Sequence, residues 1–441
     1  MTTKALNHSY GCTLLTAFLI LMLTIPAEAQ RLTGRKIKRI LEQSEVTGEH
    51  YTGFMVVDQE TNKILFDLNG NRPSVPASNT KLFTFYTALQ MLSDPIPGLR
   101  YIRRGDSLIF WGTGDPSMLH SELRSTKVYD FLKASPHKLF FSSSNQKSNR
   151  EVYGSSPYEI QPSSLPVAEN NAVVFTDASG KLLIKPSFLQ SYLKPDSSFK
   201  PRTFTVRRHD LENTFTYPLM PVPSNYRRII PLKLNADLTR ALLQDTLRRT
   251  VELIDLPVPD SASTLYSVHA DSLYRQMMLP SDNYIAEQLL MLCSSALPGG
   301  TLSIDSAIAY SRKNFLSDMP DKFQWRDGSG LSRYNLFTPR TIIALLVRIK
   351  DKIGDEERLH NLFPAGGVNG TLRNAYKTDN GVPFVWAKTG TLSNVHIQGG
   401  YLVTRKGRKL LYSFMNNNFL RPTADIRAEM VRVMTEIHNR F

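Results

Sequence analysis

Val75-Pro76-Ala77-Ser78-Asn79-Thr80-Lys81-Leu82-Phe83-Thr84 is the stretch from which the rest of the chain can be understood. With Pro76 closing the non-helical approach and Ser78 opening a helix, positions 78 and 81 fall one turn apart on the same face, and the amine can reach the hydroxyl. The serine then sits over the positive end of the helix. Free backbone N–H groups there can stabilise negative charge developing on a substrate carbonyl oxygen, as acyl transfer requires. Ser78 and Lys81 are therefore a candidate nucleophile and base. Ser-x-x-Lys also arises by chance in many chains, so its weight depends on what accompanies it.

Two later stretches accompany it. Ser281-Asp282-Asn283 precedes an apolar helical run containing Tyr284, Ile285, Leu289 and Leu290, and Lys388-Thr389-Gly390-Thr391 follows the strand-like Val382-Pro383-Phe384-Val385-Trp386-Ala387. S-x-x-K, S-D-N and K-T-G in this order are the signature of class A β-lactamases and penicillin-binding proteins, and the chain resembles that superfamily. Gly114-Asp115-Pro116-Ser117, the run from Tyr158 to Leu165, Asp327-Gly328-Ser329-Gly330-Leu331-Ser332 and the run from Pro364 to Leu372 resemble one branch of it. That branch is the D-alanyl-D-alanine carboxypeptidase/endopeptidases, the low-molecular-mass class C penicillin-binding proteins. The glycine-rich members of this set are also good turn sequences, and Gly-Asp-Pro-Ser supports either reading equally.

The resemblance implies an α+β fold in which a β-lactamase/transpeptidase-like antiparallel sheet lies beside a helical subdomain, with the active site between them. It also implies roles. Ser78 attacks, Lys81 takes its proton, Ser281 relays a proton to the leaving amine, and Asn283 helps hold Lys81 and the substrate backbone. Lys388, Thr389, Gly390 and Thr391 form the substrate-binding strand, with Lys388 and the two threonines meeting the carboxylate of a terminal D-alanine. The backbone N–H groups of Ser78 and Thr391 form the oxyanion hole. No role is implied for Asp282. Lys81 can act as a base only if its pKa is depressed, which burial and the charge of Lys388 would both do.

Composition bounds the remaining possibilities. A chain of 441 residues with 41% hydrophobic and 21% charged residues can build two or three globular cores. The net charge of +14 favours anionic surfaces such as lipid headgroups or an acidic wall polymer. Nucleic acid is not indicated as a partner, because the basic clusters are short and scattered and no zinc-finger or aromatic RNA-binding signature is present. The largest, Arg405-Lys406-Gly407-Arg408-Lys409, interrupts two strand patterns and fits a solvated hairpin turn. At the start, Lys4 and His8 precede an apolar run from Leu14 to Ile25, and Ala27-Glu28-Ala29 follows. Residues 1–29 therefore match a secretory signal cleaved before Gln30; the alternative is a retained membrane anchor, and cleavage is favoured because the run from Leu14 to Ile25 falls short of the ~20 residues a span needs. A soluble, periplasmic protein with at most peripheral membrane contact is expected. Cys293, left alone after cleavage, fits a buried small hydrophobe better than a reactive thiol.

Spacing suggests the domain plan. The interval from Ser78 to Ser281 is nearly twice that from Ser281 to Lys388, and between them the stretch from Asp106 to Pro231 is rich in β-forming residues, Ser, Pro and Tyr. Residues 98–231, about the size of an ordinary domain, are therefore expected to form an inserted, mostly-β domain between catalytic segments 30–97 and 232–441. Hairpins are expected at Gly53–Asp58 with Lys63–Asp67 and at Gly399–Thr404 with Leu410–Met415. Amphipathic helices are expected at 36–47 and 428–437.

The expected function is a serine-type D-Ala-D-Ala carboxypeptidase or DD-endopeptidase acting on peptidoglycan stem peptides through an acyl-enzyme, inhibited by β-lactams, and needing neither metal nor organic cofactor. The alternatives are a β-lactamase and a non-catalytic β-lactam- or wall-binding protein. Against the former, no glutamate occurs from Gln288 through Asp355 to activate a deacylating water, and Ser281 stands where the other β-lactamase route places a tyrosine.

Overall fold

The computed structural model describes residues 33–147 and 159–440, so the expected signal segment at 1–29 lies outside the described residues. At its centre is a five-stranded antiparallel sheet in the order Val385–Leu392, Val395–Val403, Lys409–Asn417, Tyr51–Asp58, Ile64–Leu68. The two ends of the chain meet in its middle, where Tyr51 pairs with Asn417 and Asp58 with Leu410. Both expected hairpins are present, and the basic run at 405–409 forms the turn of the second, with Gly407 N–H donating to Thr404 O (2.9 Å).

Side-chain alternation along the central strand decides what covers each face. Phe54 and Val56 point into a core with Ile37, Ile40, Tyr412, Phe414, Met430 and Val433, which is closed by the helices Gly34–Glu42 and Thr423–Arg440. Met55 and Val57 point the other way, into a core with Leu82, Phe83, Leu289, Ile342 and Leu346. The helices on that side are Lys81–Met91, Asn283–Ser294 and Pro339–Ile353. This layered α+β arrangement is the expected one: a sheet buried on both sides needs apolar helices on both. The first helix ends at Glu42 rather than near 47, because Ser44 Oγ accepts from the N–H groups of Val46 and Thr47 and turns the chain.

A third core gathers Leu99, Phe110, Phe141, Val174, Phe215, Leu243 and Val251. Its main sheet runs in the order Val251–Leu253, Lys138–Ser142, Ser107–Gly112, Pro97–Arg104, Ser263–Tyr266, and two three-stranded sheets lie with it. Both edge strands of the main sheet come from beyond position 231, as does the packed helix Ala236–Leu247. The composition shift at Pro231 marks the return of helical sequence and does not mark the end of this packing. The chain enters and leaves the unit side by side: Ile96 N–H donates to Val268 O (3.0 Å) and Ser267 N–H to Ile96 O (2.9 Å).

Candidate active site

Ser78 lies in a 3-10 turn, Ala77–Thr80, that runs into the helix beginning at Lys81, one turn later than the sequence places the helix start. In a 3-10 turn residues i and i+3 eclipse one another, so the lysine lies directly beneath the serine. Ala77, at φ 44°, holds the left-handed conformation that directs the chain into this turn. Its carbonyl packs on Gly330, where a Cβ would come within 1.9 Å of that oxygen and where φ is +88°. The turn is thus braced by the loop of the Asp-Gly-Ser-Gly stretch.

Lys81 is wholly buried, and its Nζ makes three contacts: Ser78 Oγ at 3.1 Å, Asn283 Oδ1 at 2.7 Å and Ser329 O at 2.7 Å. Burial lowers its pKa to about 8, against the pull of Glu287, Asp282 and Asp327, whose negative charges favour the ammonium. The sequence reading assigned part of this depression to Lys388. Repulsion between the two amines acts on both: Lys388 is buried too, and desolvation followed by the charge of Lys81 holds it well below the usual lysine range. Lys388 Nζ donates to Ser281 Oγ (2.7 Å) and to the Thr389 carbonyl (2.8 Å). Ser281 itself is at φ 66°, a conformation costing on the order of 1–3 kcal/mol in a non-glycine residue.

Ser78, Lys81 and Asn283 therefore form one hydrogen-bonded group, and Ser281 with Lys388 forms a second beside it. Gly390 joins the strand to the nucleophile turn: a Cβ at this position would lie 2.8 Å from Pro76 O and 2.9 Å from Ser78 N. Thr389 and Thr391 alternate to the opposite side of the strand from Lys388, where Thr389 donates to Thr371 Oγ1 (2.8 Å) and Thr391 Oγ1 meets His396 Nδ1 (2.8 Å). Asp282 acquires a structural task, accepting from Ile285 N–H at 3.0 Å as N-cap of the helix that presents Asn283.

Two acids outside the three short motifs support this group. Glu287, one helical turn beyond Asn283, accepts from Gly328 N–H (2.9 Å) and Ser329 N–H (2.8 Å), fixing the carbonyl that receives Lys81. Asp327 accepts from Gly330 N–H (2.8 Å) and Asn335 Nδ2 (2.8 Å) and completes the same loop. The four-residue spacing of Asn283 and Glu287 was the available signal, since it puts both on one helix face.

A protein with this fold and this pairing of serines and lysines is an active-site-serine peptidase of the penicillin-binding class. The model of the D-Ala-D-Ala carboxypeptidase 3 (S13) family matches residues 33–135 and 232–437, and the chain belongs to that family. Among its relatives, D-alanyl-D-alanine carboxypeptidase DacB of Haemophilus influenzae is 30% identical over 183 residues, which cover 38% of this chain and 36% of that protein. D-alanyl-D-alanine carboxypeptidase of Actinomadura sp. (strain R39) is 25% identical over 460 residues, 90% of this chain and 83% of the other. In structure, the chain is similar to penicillin binding protein 4 from Haemophilus influenzae, with a TM-score of 0.70 at 21% identity over 91% of this chain and 98% of that one.

Proposed function

We propose that the protein is a serine DD-peptidase that cleaves the bond after the penultimate D-alanine of peptidoglycan stem peptides, with β-lactams as covalent inhibitors. The observation that carries this reading is the environment of Lys81 Nζ. Asn283 Oδ1 and the Ser329 carbonyl can only accept hydrogen bonds, so the two hydrogens of a neutral amine go to them. The nitrogen lone pair is then left for the Ser78 hydroxyl, 3.1 Å away. Lys81 is in this way oriented as the base for one proton.

In the forward reaction Ser78 Oγ attacks the carbonyl carbon as its proton passes to Lys81, and the oxyanion is met by the N–H groups of Ser78 and Thr391. Collapse breaks the C–N bond, and the proton that Lys81 took from Ser78 reaches the departing amine by relay through the Ser281 hydroxyl, which gives one proton and takes one. Water then attacks the ester carbonyl, the bond to Ser78 Oγ breaks, one water proton returns to Oγ, and the shortened peptide leaves with its new carboxyl group. Burial and the charge of Lys81 lower the pKa of Lys388, and the negative charge of a substrate carboxylate beside it favours its ammonium form. A terminal D-alanine and a crosslinking D-centre amine present the same bond, and both carboxypeptidase and endopeptidase action follow from one site.

Glu287 is buried with its two oxygens holding the Gly328 and Ser329 N–H groups, a placement that suits bracing the loop over activating a deacylating water. The signal-like residues 1–29 and the charge of +14 support a periplasmic location against the wall polymer. Residues 98–231, with the strands that complete their sheet, are proposed as an accessory unit.

Mass analysis after incubation with a penicillin, and with pentapeptide and crosslinked muropeptides, tests the reading. The whole drug should add to Ser78 and persist for minutes while D-Ala-D-Ala peptides turn over, and Ser78→Ala should label no longer at nearly unchanged thermal stability. Labelling of the alanine variant at wild-type rate, or rapid release of hydrolysed drug over many cycles, would overturn it.

A further inference from the structure

His396 stands directly across from Thr391 in the strand pair Val385–Leu392 and Val395–Val403. It is 2% exposed, its Nδ1 lies 2.8 Å from Thr391 Oγ1, and its Nε2 is buried with no hydrogen-bond partner among the described residues. Two neutral tautomers are possible. A proton on Nε2 would leave a buried N–H donor orphaned, whereas a proton on Nδ1 leaves only a lone pair unmatched, which proteins tolerate better. Burial, with a lesser contribution from the charge of Arg427, pushes the imidazole down to about 4 and keeps it uncharged in the neutral range.

We infer that His396 is a positioning residue for substrate recognition: its Nδ1–H donates to Thr391 Oγ1, so the only hydrogen of that hydroxyl is turned outward toward the carboxylate of a terminal D-alanine. A threonine hydroxyl has one hydrogen and two lone pairs, and a neighbour that donates fixes where the hydrogen does not go. Thr391 is exposed on its outer side, so that hydrogen is available to a ligand. Thr389 differs, because its hydrogen is already donated to Thr371 Oγ1. Of the two threonines in the motif, Thr391 is therefore the hydroxyl donor to the carboxylate, and His396 sets it.

The inference rests on the DD-peptidase reading, and its test separates the two. Wild type, His396→Leu and His396→Asn are compared on one D-Ala-D-Ala peptide with a free carboxyl terminus and on the same peptide as its terminal amide. Asparagine places an amide N–H near the position of Nδ1, whereas leucine removes the donor at similar volume. The preference for the free acid, as the ratio of kcat/KM values, should fall on the order of 10-fold in the leucine variant, through KM, and return with asparagine. A ratio unchanged in His396→Leu, or equal losses on both peptides with no recovery in His396→Asn, overturns the role of His396. A wild-type protein that is labelled by penicillin yet turns over neither peptide overturns the peptidase reading, and this inference with it.

Discussion

Lys81 is placed where its charge is costly, and the cost is only partly offset. Burial brings its pKa to about 8, while Glu287, Asp282 and Asp327 face it with negative charge and Lys388 with positive. With the neutral amine as the proposed acting form, acylation by a β-lactam at saturating drug should rise with pH and level off above about 8. Glu287→Gln removes one charge that favours the ammonium, so the rising limb should move to lower pH. Glu287 is itself pushed up to about 7, by burial and then by Asp327, so at the pH of that limb it is mostly ionised and its loss should be felt. Stopped-flow acylation rates from pH 6 to 10 check this, and a limb that stays in place would remove Glu287 from the electrostatics. The substitution should also lower stability by about 1–3 kcal/mol, because an amide nitrogen would face a backbone donor.

The strand carrying Lys388 and the turn carrying Ser78 approach so closely that only glycine fits at 390. Gly390→Ala should push the strand away from the turn and separate Lys388 and Thr391 from the nucleophile. A displacement on the order of 1 Å costs about 10²-fold in a reaction of this kind, so penicillin labelling should slow by roughly that factor while circular dichroism stays unchanged. Labelling at wild-type rate would mean that the contact is slack. This contact also shows which features the sequence reveals. Ser78, Lys81, Ser281, Asn283 and Lys388 were legible because polar residues at fixed spacing carry chemistry that their apolar surroundings do not explain. His396 and Glu287 were not, because a histidine within a strand and an acid within an apolar helix resemble ordinary core positions until tertiary packing brings their partners from elsewhere in the chain. The two hairpins and the closing helix followed from periodicity alone, whereas the helix start at Lys81 depended on a left-handed alanine that no pattern announces.

Across the whole molecule, the helical side of the central sheet meets the unit built on the second five-stranded sheet at Gln288. Its Nε2 donates to Gly114 O (2.6 Å) and Ser163 O (3.0 Å), its Oε1 accepts from Ser163 N–H (2.8 Å), and it is fully buried in the helix that presents Asn283. Gln288→Ala would strand three buried backbone groups and should cost about 3 kcal/mol at the joint. Differential scanning calorimetry should then resolve two transitions where the parent shows one, and a single transition at the parent temperature would mean that other contacts hold the units together. Motif spacing suggests a long segment between Ser78 and Ser281, whereas the strands Val251–Leu253 and Ser263–Tyr266 that complete its main sheet are too short to carry a compositional signal. The paired crossings at Ile96 and Val268 bear on how such a protein can be rebuilt. Two chain ends tied together by reciprocal hydrogen bonds form a ready splice point, so any domain whose own termini lie side by side could be grafted there without stretching the catalytic half, making this position a natural socket for exchanging one inserted unit for another.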